Sequence, residues 1–243
     1  MNSVTAKSFE LALCQASIFT PDEEFSSARL ARDFLPALIE RFDADPTILP
    51  VQDLPFPREI PKVIIRSKSG MWRCEFASAR VNLFWQKPEE EPNQITLPDF
   101  FQYAAKLLCD YVEDIGPRVG RLAGLIRRYA YHANPAMFLS RHYCKDRWYR
   151  TPLNRPENFE LHAHKKFKLG GQFDVNSWAK NKTSKTSSAK ESKPIVLFEQ
   201  DINTLSEEVS NKSFTTEQIT VFYKLIPSEF DTILDLYYPE NSQ

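Results

Sequence analysis

RVGRLAGLIRRYAYH, residues 118–132, decides how this chain is to be folded, because it opens a second pass through an order of elements already met once. Its apolar-rich run after Gly116-Pro117 reads as a strand. Immediately before it, LPDFFQYAAKLLCDYVEDI (97–115) places Phe100, Ala104, Leu107, Leu108, Tyr111 and Ile115 at helical spacing. Further upstream, FELALCQASIF (9–19) reads as a strand stopped by Thr20-Pro21-Asp22. SSARLARDFLPALIERF (26–42) reads as a helix that Pro36 kinks or divides. ILPVQDL, KVIIRS, MWRCEFA and RVNLFWQ are short strand candidates, the last three joined as hairpins at Ser69-Gly70 and Ser78-Ala79.

Downstream of residue 132 the order recurs. PAMFLSRHY (135–143) is a short helix behind Asn134, and a basic loop leads to Pro156. Strands NFELHAHKKFKL (158–169), QFDVNSWA (172–179) and PIVLFEQDI (194–202) follow. A long helix over 215–238 then starts at Thr215 or Thr216 and is interrupted near Pro227. The expectation is an α+β protein of two related halves, 1–117 and 118–243. Each half runs strand, helix, strands, helix, with largely antiparallel sheets covered on one side by helices. KNKTSKTSSAKESK (180–193) lacks anything to bury and is expected to be a mobile hairpin tip.

A hydrophobic share of 42% with 26% charged residues suits a folded chain with a substantial core. No apolar run approaches the ~18–20 residues of a membrane helix. Cys14, Cys74, Cys109 and Cys144 are scattered without a CxxC pair, the pattern of reduced thiols, so a cytoplasmic location with no membrane contact is expected. The net charge of −1 hides a segregation. Residues 118–190 hold sixteen Lys or Arg against four Asp or Glu, +12, which leaves −13 on the rest. Such a segment attracts an anionic partner unless it folds against the acidic flanks.

Motifs for hydrolases, nucleotide binding, zinc proteases and dinucleotide cofactors are absent, so no catalytic residue and no cofactor is assigned. Glu89, Glu90 and Glu91 lie between Pro88 and Pro92 as solvated loop. His142, Cys144, His162 and His164 have the chemistry of a zinc set. In NFELHAHKKFKL, however, Glu160, His162, His164, Lys166 and Lys168 lie opposite the apolar set Phe159, Leu161, Ala163 and Phe167, and a solvated strand face accounts for them without a metal. Asp174 and Asp201, on or near strands, would with His162 or His164 build an acid-base or metal-assisted site, which makes a metal-dependent nuclease a further alternative.

The remaining signal is basic and aromatic residues interleaved. Arg127 and Arg128 on the strand, Arg141, Tyr143, Lys145, Arg147, Trp148, Tyr149 and Arg150 after it, and Lys166 and Lys168 on the later strand form a candidate partner-binding set. Arg, Trp and Tyr anchor protein interfaces. The same residues would neutralise phosphates and stack on bases in RNA or DNA. A protein partner is the leading expectation, with nucleic acid as the alternative.

The series FELALCQASIF, WRCEFASARVNLFW, LPDFFQYAAKLL, GRLAGLIRRYAY and VLFEQDINT resembles a sporadically distributed bacterial family of uncharacterised proteins of similar length. That family shows a late Asp-Ile-Asp-like strand, which here reads Asp201-Ile202-Asn203. The resemblance implies a bacterial protein with this order of elements. The family's patchy distribution implies mobile or defence-associated genes. The function expected is a non-catalytic interaction or regulatory subunit.

Overall fold

A computed structural model of the chain describes residues 4–21, 26–49, 57–88, 95–145, 155–186 and 192–240. Nine strands form one antiparallel sheet. They are β1 (Glu10–Phe19), β2 (Thr47–Ile48), β3 (Val63–Arg66), β4 (Trp72–Phe76), β5 (Arg80–Gln86), β6 (Arg121–Tyr131), β7 (Glu160–Leu169), β8 (Phe173–Lys185) and β9 (Pro194–Thr204). Their spatial order is β2-β3-β4-β5-β1-β6-β9-β8-β7. The strand of residues 118–132 is therefore β6, and by pairing with β1 it makes the sheet continuous, with Ser17 opposite Ala123 and Phe19 opposite Arg121.

Alternation along these strands sends one set of side chains to the core. Cys14, Ala16 and Ile18 of β1 lie beside Trp85, Leu83 and Val81 of β5, and all six are buried. Four helices cover that side: α1 (Ser27–Asp33), α2 (Leu97–Ile115), α3 (Pro135–Tyr143) and α4 (Thr216–Tyr237). The segment 26–42 divides at Pro36, as expected, into α1 and a 3-10 turn over Leu35–Leu38. Thr96 caps α2 by accepting from the Asp99 N–H at 3.2 Å. Gly116, at φ 75°, ends it in the left-handed conformation that glycine adopts without penalty. α4 starts at a reciprocal capping box in which Gln218 donates to Thr215 Oγ1 at 3.3 Å and the Thr215 N–H donates to Gln218 Oε1 at 3.1 Å.

Two expectations need correction. α4 continues through Pro227 as one helix, although proline removes the donor that the Tyr223 carbonyl would otherwise accept from. Burial on both sides of the proline holds it: Phe101 packs against Tyr223 and Phe230 at ring separations of 5.9 Å. Secondly, β8 extends to Lys185, so residues 180–185 of the low-complexity stretch form a strand paired with β9. Residues 187–191 lie outside the described residues.

The core is aromatic where the helices meet the sheet. Phe34 stands edge-on to both Phe76 and Tyr111, and Trp72 stacks on Phe100. The buried Tyr223 hydroxyl donates to the Ser17 carbonyl at 2.8 Å and lies 3.3 Å from the Ala123 carbonyl. That hydroxyl ties α4 to the β1–β6 junction. Among the described residues, no helix is long and apolar enough to cross a membrane.

Candidate functional site

With the helices on one side, the other side of the sheet presents the alternate residues of every strand. The register fixes their order. Leu125, Asp201, Trp178 and His164 form one row across β6, β9, β8 and β7, and Arg127, Glu199, Lys180 and His162 form the next. Cross-strand neighbours in such rows stand ~5 Å apart, close enough to share hydrogen bonds and ring contacts.

Each row has a distinct chemistry. Trp178 is 36% exposed, and the His164 imidazole stacks on its indole at 4.2 Å with an interplanar angle of 17°. His164 Nε2 lies 3.0 Å from Asn176 Oδ1. In the second row Arg127 Nε donates to Glu199 Oε2 at 2.7 Å and Lys180 Nζ donates to Glu199 Oε1 at 3.0 Å. Burial pushes the Glu199 carboxyl up. The two hydrogen-bonded cations more than offset this and hold it below its ordinary value. Asp201 has the opposite balance. Its burial outweighs the hydrogen bond from Asn203 and the charges of Arg121 and Lys180, and its carboxyl is raised.

Aromatic rings continue toward β1 and β5. Tyr129 and Tyr131 meet edge-on at 5.4 Å, and Tyr131 is 51% exposed. Lys87 pairs with Glu10, which also accepts from the Tyr129 hydroxyl at 3.0 Å. Arg121 lies 4.7 Å over the Phe19 ring and Arg73 lies 4.3 Å over Phe84. Cations stacked this way stand against ring faces.

The structure divides the residues expected to bind a partner. Arg127, Lys166 and Lys168 share the open side, where Lys166 is paired with Glu207 at 2.8 Å and Lys168 with Asp174 at 2.8 Å. Arg128 is turned to the helix side, as alternation requires. It is 6% exposed, ion-paired with Asp231, and donates to Gln200 Oε1 at 3.0 Å. Tyr143, at the end of α3, is half-buried and packs against Phe159, Tyr237 and Tyr238. Arg141 and Lys145 are exposed at and beyond the end of α3. Arg147, Trp148, Tyr149 and Arg150 lie outside the described residues, as do Glu89, Glu90 and Glu91.

The histidines do not converge with one another. His142 accompanies α3 on the helix side, with Nε2 2.7 Å from the Tyr237 carbonyl, whereas His162 and His164 face the open side. Among the described residues, no group of three or more His, Cys, Asp or Glu is arranged to hold a metal ion. Asp174 is engaged by Lys168, and Trp178 stands between Asp201 and His164. On the helix side, a groove of about 760 Å³ between α2 and α4 is lined by Phe101, Tyr223, Lys106, Lys224 and Asp231. The last of these is already engaged by Arg128.

Sequence reasoning missed Trp178, Tyr129, Tyr131, Lys180 and Glu199. The signal is the same period-two alternation that assigns β7, applied to QFDVNSWAK, RLAGLIRRYAY and PIVLFEQDI. The chain matches no model of a known protein family. Nor does it match any curated protein.

Proposed function

We propose that this chain is a non-catalytic interaction or regulatory subunit that docks a protein partner on the open side of its sheet. One observation carries the reading: exposed aromatic residues, Trp178 with His164 and Tyr131 with Tyr129, stand among cations already paired with carboxylates of the same chain. Aromatic anchors of this kind gain energy when a partner excludes water from them. Pre-formed ion pairs add specificity and need no rearrangement.

RNA or DNA binding is the second reading, and it draws on the same basic segment. Its driving force is cations that release counterions from phosphates. Arg127, Lys166, Lys168 and Lys180 each face an acidic side chain at 3.0 Å or less, which favours protein over nucleic acid. A metal-dependent nuclease has no ligand set among the described residues to rest on. From the family it resembles, we place the protein in a bacterial, mobile or defence-associated system. The free cysteines fit a reducing, cytoplasmic setting.

We also infer that residues 1–117 and 118–243 are related halves. In support, Ser17 pairs with Asn82 as Ala123 pairs with Asn203, and Ser17 and Ala123 oppose each other on the central strands. In the first half the meander β2 to β5, and in the second the meander β7 to β9, returns to lie beside that half's first strand.

The test is co-purification from native cells with a tagged full-length chain. Trp178→Ala combined with Tyr131→Ala is expected to lose a specific protein partner while the melting temperature stays within about 3 °C of wild type. Retention of that partner by the double variant contradicts the reading. Association that is nuclease-sensitive and weakens steeply with salt supports nucleic acid instead.

A further inference from the structure

The sheet has two ends, and they differ. At one, β2 is only two residues long. At the other, β7 is the outermost strand among the described residues and runs for ten residues without proline, glycine or bulge, in unbroken register with β8 from Glu160–Lys182 to Leu169–Phe173. A long regular edge strand of this kind is a template for another strand.

The phase of its hydrogen bonds is fixed. The Thr183 N–H donates to the Phe159 carbonyl at 3.1 Å, which makes 159/183 a bonded pair of the β7–β8 ladder. Bonded and non-bonded pairs alternate, so residues 161, 163, 165, 167 and 169 also bond to β8. The backbone N–H and C=O groups of Glu160, His162, His164, Lys166 and Lys168 therefore point to the free edge. All five side chains are exposed.

We infer that β7 pairs antiparallel with β7 of a second copy of this chain, about a two-fold axis at His164. An axis normal to the sheet keeps both open sides together, so residues pair only with residues of the same alternation. Centring on His164 uses the whole free edge and bonds all five outward residues, with about ten N–H···O bonds at two per bonded pair. The same register sets Glu160 against Lys168 of the other copy at both ends. On the helix side it sets Leu161 against Phe167, both half-buried in the single chain. The smallest shift that keeps this alternation moves the centre by one residue and bonds four outward residues instead of five; centred on Ala163 it leaves Lys168 unmatched, and centred on Lys165 it leaves Glu160 unmatched. This self-complementarity is what identifies a second copy as the occupant.

Lysines on an edge strand ordinarily keep other strands away. Here Lys165 pairs with Glu229 at 3.7 Å, Lys166 with Glu207 at 2.8 Å and Lys168 with Asp174 at 2.8 Å. Their charge is largely answered within one chain. The inference does not rest on the docking reading. It would, however, join the open sides of two copies into one surface.

Light scattering and sedimentation of the full-length chain test this, with Glu160→Lys, Lys168→Glu, the double exchange and His164→Pro. Wild type is expected to be a dimer. Each single reversal places two like-charge pairs in the dimer and is expected to weaken it about tenfold, whereas the double exchange restores affinity. His164→Pro removes a donor that faces only the free edge, so it is expected to give folded monomers with an unchanged circular dichroism spectrum. A wild type that stays monomeric at the highest soluble concentration overturns the inference. So does a dimer whose affinity is the same in all four variants, which would use another surface.

Discussion

Single residues in this fold are constrained by space and by charge, and the two can be separated. A Cβ added at Gly120 would lie 2.0 Å from the backbone oxygen of Val209, whereas at Gly124 it would meet the tip of the Ile226 side chain at 2.4 Å. Ile226 can rotate and a backbone carbonyl cannot. Gly124→Ala is therefore expected to cost ~1–3 kcal/mol in urea unfolding, and Gly120→Ala distinctly more. Charge acts at Asp201, whose carboxyl is raised by burial. A raised carboxyl favours the protonated form in the folded state. Its burial cost is thus absent at low pH and fully present once the pH exceeds the folded value. Asp201→Asn is expected to be more stable than wild type at neutral pH, with the difference vanishing below the ordinary carboxylate range. A variant less stable than wild type at pH 7 would show that Asp201 is held by attraction rather than merely tolerated. Residue-scale reading of the sequence failed most clearly at Arg127 and Arg128. Neighbours on a strand point to opposite sides, so grouping them on one surface overlooked a rule the sequence already carried.

At the scale of elements, the helices are held to the sheet by a few buried polar contacts set in aromatic packing. The Tyr223 hydroxyl is the link between α4 and the central strand pair. Tyr223→Phe leaves the ring packing intact and removes the donor to the Ser17 carbonyl. It is expected to lower stability by ~1–2 kcal/mol, measured as a shift in denaturant midpoint with unchanged slope. An unaffected midpoint would mean that ring packing alone fixes the helix. The strands and helices best marked in the sequence were those with both a regular apolar spacing and a terminal signal. α2 occupies residues 97–115 and β5 residues 80–86, as their patterns indicated. The local pattern ends β8 too early because Asn181 and Thr183 look like loop residues. In the fold Asn181 is buried and accepts from the Tyr238 hydroxyl, and Thr183 bonds to the backbone of Phe159. Long-range partners of that kind cannot be read from a local pattern, and the same holds for the packing that carries α4 through Pro227.

For the whole molecule, the consequence of the topology is asymmetry. The four α-helices lie on one side of a nine-stranded antiparallel sheet, and the other side carries rows of aromatic and charged residues. Among the described residues of the open side, the charge segregation in the sequence does not become a bare basic surface. Arg127 and Lys180 share Glu199, Lys166 and Lys168 have acidic neighbours, and Arg128 is drawn into the core by Asp231. Sequence counting registers how many cations a segment holds, while the fold decides which carboxylates stand beside them. The open side is therefore the surface proposed to dock a partner. Oxidative footprinting of the full-length chain, free and in complex with the protein that co-purifies with it, measures this directly. Protection is expected at Trp178, Tyr131 and His164, with Val221 and Leu236 of α4 labelled equally in both states. Protection confined to α4, with Trp178 and Tyr131 labelled as in the free chain, would contradict it.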